Sequence, residues 1–406
     1  MTGAGVLIVA ALLPTACSHQ SGHASEPAGS DTAGGSPTPA TASAAPSTTA
    51  GAPLTLPPTT TAAPTTAQAA PTPAQTQLAG QRIIYSYTGL TPPADLLALI
   101  RAGQVAGVIF FADNVSSTAQ LTSVVAELDQ AQKASPVHLP LLLMTDQEGG
   151  QVRRLPGAPD LSEEQVGQSS NPSAQAAAAG TGAGQNLAGI GLNVNLAPVL
   201  DVYYQPGDFI EQNQRSFSNS PTVVSTLGGA FISAQQRAGV AATAKHFPGL
   251  GSAPAGADTD NGPVTLPVSL SRLRSTDEVP YRAAIASGVK LIMVSWAVYP
   301  ALDGSRPAGF SPVVVQQELR SRLDYNGVTI TDALEAEALD AYGTPGQRAQ
   351  DAAGAGMDLI LCSSGDVSQG EQASAALASA LAGGQLSQSG FTAAVNRINK
   401  LRGNLS

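Results

Sequence analysis

From about Gln77 onward, apolar runs of strand length alternate eight times with longer segments of helical period. The runs are residues 82–87, 107–111, 139–145, 192–202, 240–246, 289–296, 327–331 and 357–362. Helices are expected near 93–102, 117–133, 172–187, 221–238, 270–286, 312–323 and 346–353, with 371–381 and a terminal 391–401 after the eighth run. Eight such units in roughly 325 residues match the length and order of an α/β fold of the (β/α)8 barrel type. Runs such as Leu359-Ile360-Leu361 do not alternate, as expected of parallel strands buried on both faces. A doubly wound sheet accepts the same repeat, so the count alone does not choose between the two.

Ahead of these units the chain has another character. Residues 6–13 form an apolar run followed by Pro14-Thr15-Ala16-Cys17. The run is too short to cross a bilayer as a helix. Small residues before a cysteine resemble the lipobox of a bacterial lipoprotein. Residues 1–17 are therefore expected to be a signal segment with lipidation at Cys17. The protein would then be exported and lipid-anchored to the outer face of a bacterial cell membrane. Pro14 stands where that pattern has leucine, and residues 1–5 carry no Lys or Arg. Residues 18–77 are almost wholly Ala, Pro, Thr, Ser and Gly. Such a segment cannot bury enough surface to offset its chain entropy, and proline keeps it extended. It is expected to be a disordered stalk, suited to O-glycosylation, ahead of a catalytic domain over 78–406.

In a barrel of this kind the chemistry sits at the C-terminal ends of the strands. Polar clusters fall there: Asp146-Gln147-Glu148-Gly149-Gly150 after the third run, Glu211 to Arg215 after the fourth, Lys245-His246 ending the fifth, Asp258-Thr259-Asp260 in the following loop, and Thr331-Asp332 ending the seventh. Each has a bland reading, as a helix cap or a solvated charge. Such clusters after four of the strands, on one rim, suit glycoside cleavage, which needs one carboxyl group as nucleophile or base and another to protonate the leaving oxygen. Asp332 fits the nucleophile, with nearby cations keeping it ionised. A formal net charge of -10 argues against a nucleic-acid partner, because phosphate binding needs clustered Lys and Arg. Metal chemistry fits poorly, since zinc sites want several His or Cys ligands. His246 is the only one of the four histidines expected at the rim, and Cys17 and Cys362 sit in unrelated contexts.

These residues carry a family resemblance. The segment from Asp146 to Arg154 resembles the DQEGGxVxR motif of glycoside hydrolase family 3, in its single-domain β-N-acetylglucosaminidase branch. Lys245-His246-Phe247-Pro248-Gly249 resembles that branch's KHFPG motif, Ala197 to Val202 its APVLDV strand, Arg215-Ser216-Phe217 its RSF turn, and Thr331-Asp332 its nucleophile strand. The resemblance runs from about Ile83 to Leu401. It implies a barrel-type, retaining exo-β-N-acetylglucosaminidase that uses no metal or other cofactor. Asp332 would be the nucleophile, and Asp146, Arg154, Arg215, Lys245 and His246 would bind the non-reducing sugar. The expected partner is a carbohydrate, a glycan containing N-acetylglucosamine, and the protein is expected to be a monomer.

Three departures matter. The family's loop usually ends in Asp-Ser-His, whose histidine is the acid/base; here Asp258-Thr259-Asp260 stands instead. Leu250 replaces the second histidine of KHFPGHG. Trp296 stands where relatives commonly have histidine, and it either stacks on the sugar or fills the vacated space. No free histidine remains for acid/base work, so Asp260, or secondarily Asp258, is expected to protonate the leaving oxygen. A carboxylate there would repel phosphate, so water is the expected acceptor. The alternatives are a β-glycosidase of other sugar specificity and a sugar-binding surface lipoprotein that has lost catalysis.

Overall fold

The computed structural model describes residues 70–405. The signal segment, Cys17 and most of the expected stalk lie outside the described residues. The stalk boundary needs moving: Pro73–Gly80 already form a helix, started by Thr72 and Gln75 in a reciprocal capping box. The folded part therefore begins before residue 78.

Eight parallel strands close into a barrel. They are β1 Ile83–Tyr85, β2 Gly107–Ile109, β3 Leu142–Thr145, β4 Val194–Asn195, β5 Ala241–Phe247, β6 Leu291–Val294, β7 Val328–Ala333 and β8 Leu359–Leu361. Each neighbours the next in chain order, and β8 pairs with β1 through Ile83↔Ile360 and Ile84↔Leu361. Closure rules out the doubly wound alternative.

The strands are apolar on both faces because each face meets a different core. Ile84, Ile109, Met144, Val194, Ala241, Met293, Ile330 and Leu361, one or more from every strand, form a single interior cluster. Ile398 and Leu401 of the terminal helix join it. Ile83, Val108, Leu143, Ala242, Ile292 and Ile360 belong instead to the outer layer, packed with the surrounding helices. Arg402, buried at the end of the terminal helix, donates to the carbonyls of Pro140 and Leu139 and to Gln81.

Two elements differ from the sequence reading. The fourth strand is only Val194–Asn195, because Pro198 offers no N–H to a ladder; beyond it the chain meets β5 again through an isolated Val199↔Lys245 bridge. The expected helix over 270–286 is interrupted: a wide turn over Leu273–Asp277 separates Leu270–Arg272 from Val279–Ala286, which has Pro280 in its first turn.

Candidate active site

The ladder is irregular where the polar residues lie. Register shifts occur between Ala244 and Phe247 on β5 and between Ile330 and Ala333 on β7. Such irregularities re-aim side chains, and here they fall on Lys245, His246 and Asp332. After β3 the chain folds into a hairpin of Gln147–Gly149 against Val152–Arg153. Gly149 has φ +116°, and a Cβ there would lie 2.2 Å from the Leu161 carbonyl, so the hairpin requires glycine. Gln147 ties it down, donating to the Leu155 and Ala158 carbonyls and accepting from Leu155 N–H.

A cavity of about 320 Å3 opens at this end of the barrel. It is lined by Asp146, Arg154, Arg215, Lys245, His246, Asp258, Asp260 and Asp332, every described polar residue the sequence reading proposed, together with apolar groups such as Phe111, Phe209 and Leu250.

On one side the charges are paired. Lys245 Nζ donates to Asp146 Oδ1 at 2.7 Å and lies 2.7 Å from Glu148 Oε1. Arg215 holds Glu148 in a two-pronged grip, Nε to Oε2 at 2.9 Å and Nη2 to Oε1 at 2.8 Å. Burial pushes Glu148 up, but Arg215 and Lys245 outweigh it and hold the carboxyl well below the usual range. Burial likewise opposes the charge on Lys245, and Asp146 and Glu148 overcome it, so the ammonium keeps its proton above the ordinary lysine range. Arg154 differs: its Nε is buried without a hydrogen-bond partner among the described residues, although the residue lines the cavity.

His246 is oriented from behind. Its Nδ1 lies 2.8 Å from Oδ2 of Asp201, and Asp201 Oδ1 accepts from the Leu250 backbone at 2.7 Å. Asp201 is fully buried. This leaves Nε2 as the ring nitrogen available in the cavity.

The other side gathers carboxyl groups. Asp332 is half-buried; Oδ1 accepts from Ala333 N–H at 2.9 Å, and Oδ2 has no partner among the described residues. Asp258 accepts from the Asp260 N–H at 3.0 Å and from Asn261. Burial, then the Asp332 and Asp258 carboxylates, push Asp260 up to about 7, with His246 opposing and Glu335 adding to the rise. Asp260 is exposed as a residue, so solvent screens part of these charges.

One proposed sugar contact is corrected. Trp296 is 1% exposed and does not line the cavity. Its ring packs on Phe310, and Nε1 donates to the Ala333 carbonyl at 2.8 Å. Gly309 makes room for it, since a Cβ there would lie 2.4 Å from the indole. Trp296 thus braces the backbone beside Asp332 from behind the wall. Sequence reasoning also missed four residues: Glu148, Asp201, Glu335 and Ser363. The first two lie inside recognised motifs, and their types alone marked them. Glu335 and Ser363, both at the cavity, had no such signal.

A closed parallel barrel carrying a rim of paired cations and clustered carboxyl groups is the framework of a glycoside hydrolase. The model of the glycosyl hydrolase family 3 N terminal domain matches residues 78–401, and the chain belongs to glycoside hydrolase family 3. An uncharacterized secreted glycosyl hydrolase of Arthroderma benhamiae is 47% identical over 330 residues, 81% of this chain and 93% of that protein. A β-hexosaminidase of Pseudomonas aeruginosa is 35% identical over 69% of this chain and 81% of its own length. A solved family 3 β-N-acetylglucosaminidase from Paenibacillus sp. FPU-7 matches with a TM-score of 0.76 at 34% identity, covering 81% of this chain and 62% of that one.

Proposed function

We propose that this glycoside hydrolase is a retaining exo-β-N-acetylglucosaminidase, with Asp332 as nucleophile and Asp260 as acid/base. It would remove terminal N-acetylglucosamine from cell-wall-derived glycans outside the cell, acting as a monomer held to the membrane through Cys17. The observation that carries the reading is the pairing, in one cavity, of an Asp332 carboxylate with an uncommitted oxygen and an Asp260 carboxyl raised to about 7. Such divergent carboxyl environments mark acid and nucleophile roles.

In the first step Asp332 Oδ2 bonds to C1 as the C1–O bond to the leaving group breaks. Asp260 gives its proton to the departing oxygen. In the second, Asp260 takes a proton from water while the water oxygen bonds to C1 and releases Asp332. Asp146, Lys245, Arg154, Arg215 and His246 would hold the sugar hydroxyls through charge-assisted hydrogen bonds. The names of the hexosaminidase and N-acetylglucosaminidase relatives support the choice of sugar. Water is the acceptor in this reading, because Asp258, Asp260, Asp332 and Glu335 line the cavity and would repel a phosphate dianion.

A 2-fluoro-glycosyl fluoride should trap an adduct that mass spectrometry maps to Asp332. Asp332→Ala should abolish release from aryl N-acetylglucosaminides. Asp260→Asn should slow poor leaving groups by about 10²–10⁴-fold and good ones far less. An adduct on another residue, or no aryl release by the wild type, would replace the enzyme with a sugar receptor. Sugar 1-phosphate formed in millimolar phosphate would overturn the choice of water.

A further inference from the structure

We infer that Glu335 is a positioning residue for the acid/base step, fixing the acid loop and a permanent negative charge beside Asp260 without itself transferring a proton. The inference rests on the reading of Asp260 as the acid.

Glu335 lies three residues beyond Asp332 and lines the same cavity as Asp332 and Asp260. Its carboxylate is clamped from β8 and the helix that follows. Ser363 Oγ donates to Oε1 at 2.6 Å, Ser363 N–H to Oε2 at 3.2 Å, and Gln369 Nε2 to Oε2 at 3.1 Å. Gln369 is buried and is itself held, accepting from Ser364 N–H at 3.2 Å. Three donors converging on one carboxylate suit a fixed acceptor. The short helical turn Glu337–Tyr342 that follows Glu335 also carries the acid loop: Glu337 N–H donates to the Asp260 carbonyl at 3.2 Å and Ala338 N–H to the Thr259 carbonyl at 3.1 Å. One short segment thus joins the nucleophile, the clamped carboxylate and the backbone of the acid.

The charged groups that act on Asp260 come from every neighbouring element. Asp332 ends β7, Asp258 shares its loop, His246 ends β5, and Glu335 follows β7. The three acids favour the protonated form of Asp260 and His246 opposes it. Asp332 must form and break a bond, so its charge is lost in the glycosyl-enzyme. Asp258, held by the Asp260 N–H and Asn261 within the loop itself, and Glu335, held from outside the loop by Ser363 and Gln369, form no bond in either step.

The test is the pH profile of kcat/KM for aryl N-acetylglucosaminides with poor and good leaving groups. Glu335→Gln should move the alkaline limb down by about 0.3 pH unit, lowering the rate on the poor leaving group at pH 8 by about twofold and sparing the good one. Glu335→Asp, which keeps the charge, should restore the limb. Ser363→Ala, which keeps the charge but removes the shortest anchor, should leave the limb in place and lower kcat on the poor leaving group about threefold. An unmoved limb in Glu335→Gln, or an unchanged kcat in Ser363→Ala, overturns the inference. So does a loss in Glu335→Gln as complete as in Asp260→Asn and rescued by azide, which would make Glu335 the acid. Wild-type turnover of poor leaving groups by Asp260→Asn would instead refute the acid assignment beneath it.

Discussion

Replacing Glu148 by glutamine tests whether the charge ladder holds the sugar side of the cavity together. The carboxylate, 2% exposed, takes three charge-assisted contacts: two from Arg215 at 2.8 and 2.9 Å and one from Lys245 at 2.7 Å. At roughly 1.5–3 kcal/mol each, their gross worth is about 5–9 kcal/mol. The amide has one acceptor where the carboxylate has two, so its NH2 must face a cation. Two features reduce the loss. Lys245 keeps Asp146, and the Arg215 side chain is 18% exposed, so solvent recovers part of its charge. Breaking a buried pair at one partner costs about 3–5 kcal/mol, and we adopt that range. At about 2 °C per kcal/mol for a chain of this size, Tm at pH 7 should fall by about 6–10 °C. The pH dependence has a definite sign. Folding lowers the Glu148 pKa from its ordinary 4.5, so its stabilisation is complete above that value and lost as the pH falls below it. Thermal melts followed by circular dichroism should therefore show wild type and variant converging on acidification. A deficit under about 2 °C at pH 7, measured against that scale, or one that persists unchanged in acid, would refute the argument.

Two further outcomes follow from buried groups outside the cavity. Asp277 is fully buried; its Oδ2 accepts from Tyr204 at 2.7 Å and its Oδ1 has no partner. Burial pushes it from 3.8 up to about 7, so the unfolded chain gives up this proton first and stability falls as pH rises between those values. Asp277→Asn should remove that slope and raise Tm at about pH 8 relative to wild type, whereas a wild-type profile already flat over that window would count against a neutral Asp277. Trp296→Phe keeps an aromatic ring against Phe310 but removes one of two donors to the Ala333 carbonyl, which keeps the Ala336 N–H at 3.2 Å, costing about 0.5–1.5 kcal/mol. Because that carbonyl adjoins Asp332, kcat should drop while KM changes little; lower stability with unchanged kcat would reduce Trp296 to a space filler.

What could be read from the sequence follows from what each residue's neighbours are. The eight strands were legible because parallel strands meet apolar surroundings on both faces, which leaves dense Val, Ile and Leu runs such as residues 359–361. The cavity was legible because closure of a barrel brings every strand's C-terminal end to one rim, so Asp146, Lys245 and Asp332 needed only their strand positions. The far end of the fourth run was not, since Val199 to Val202 look as strand-like as Val194; Pro198 is what ends regular pairing. Trp296 was ambiguous because an indole suits a sugar face and a buried wall equally, and only the approach of Gly309 and the Ala333 carbonyl decides between them. Glu335 was invisible because it sits in a turn without periodicity, and its partners Ser363 and Gln369 lie 28 and 34 residues away.

The cavity's two sides explain why one pocket can carry both recognition and chemistry. Among Asp146, Lys245, Glu148 and Arg215, unlike charges alternate and nearly cancel, so these side chains are rigid and present little net field. That suits a neutral sugar, whose hydroxyls need oriented donors and acceptors more than charge. Among Asp332, Asp260, Asp258 and Glu335 the charges are alike, and the other three favour the protonated form of Asp260. Burial and these neighbours push Asp260 up to about 7. His246, tied to Asp201 and acting on Asp260, stands between the two sets. A histidine in the place of Asp260 would add a cation to the carboxyl cluster when protonated, and the like-charge pressure there would fall. In the proposed reading, with a carboxyl group in that place, burial first and repulsion by its neighbours second would hold the proton that the leaving group needs.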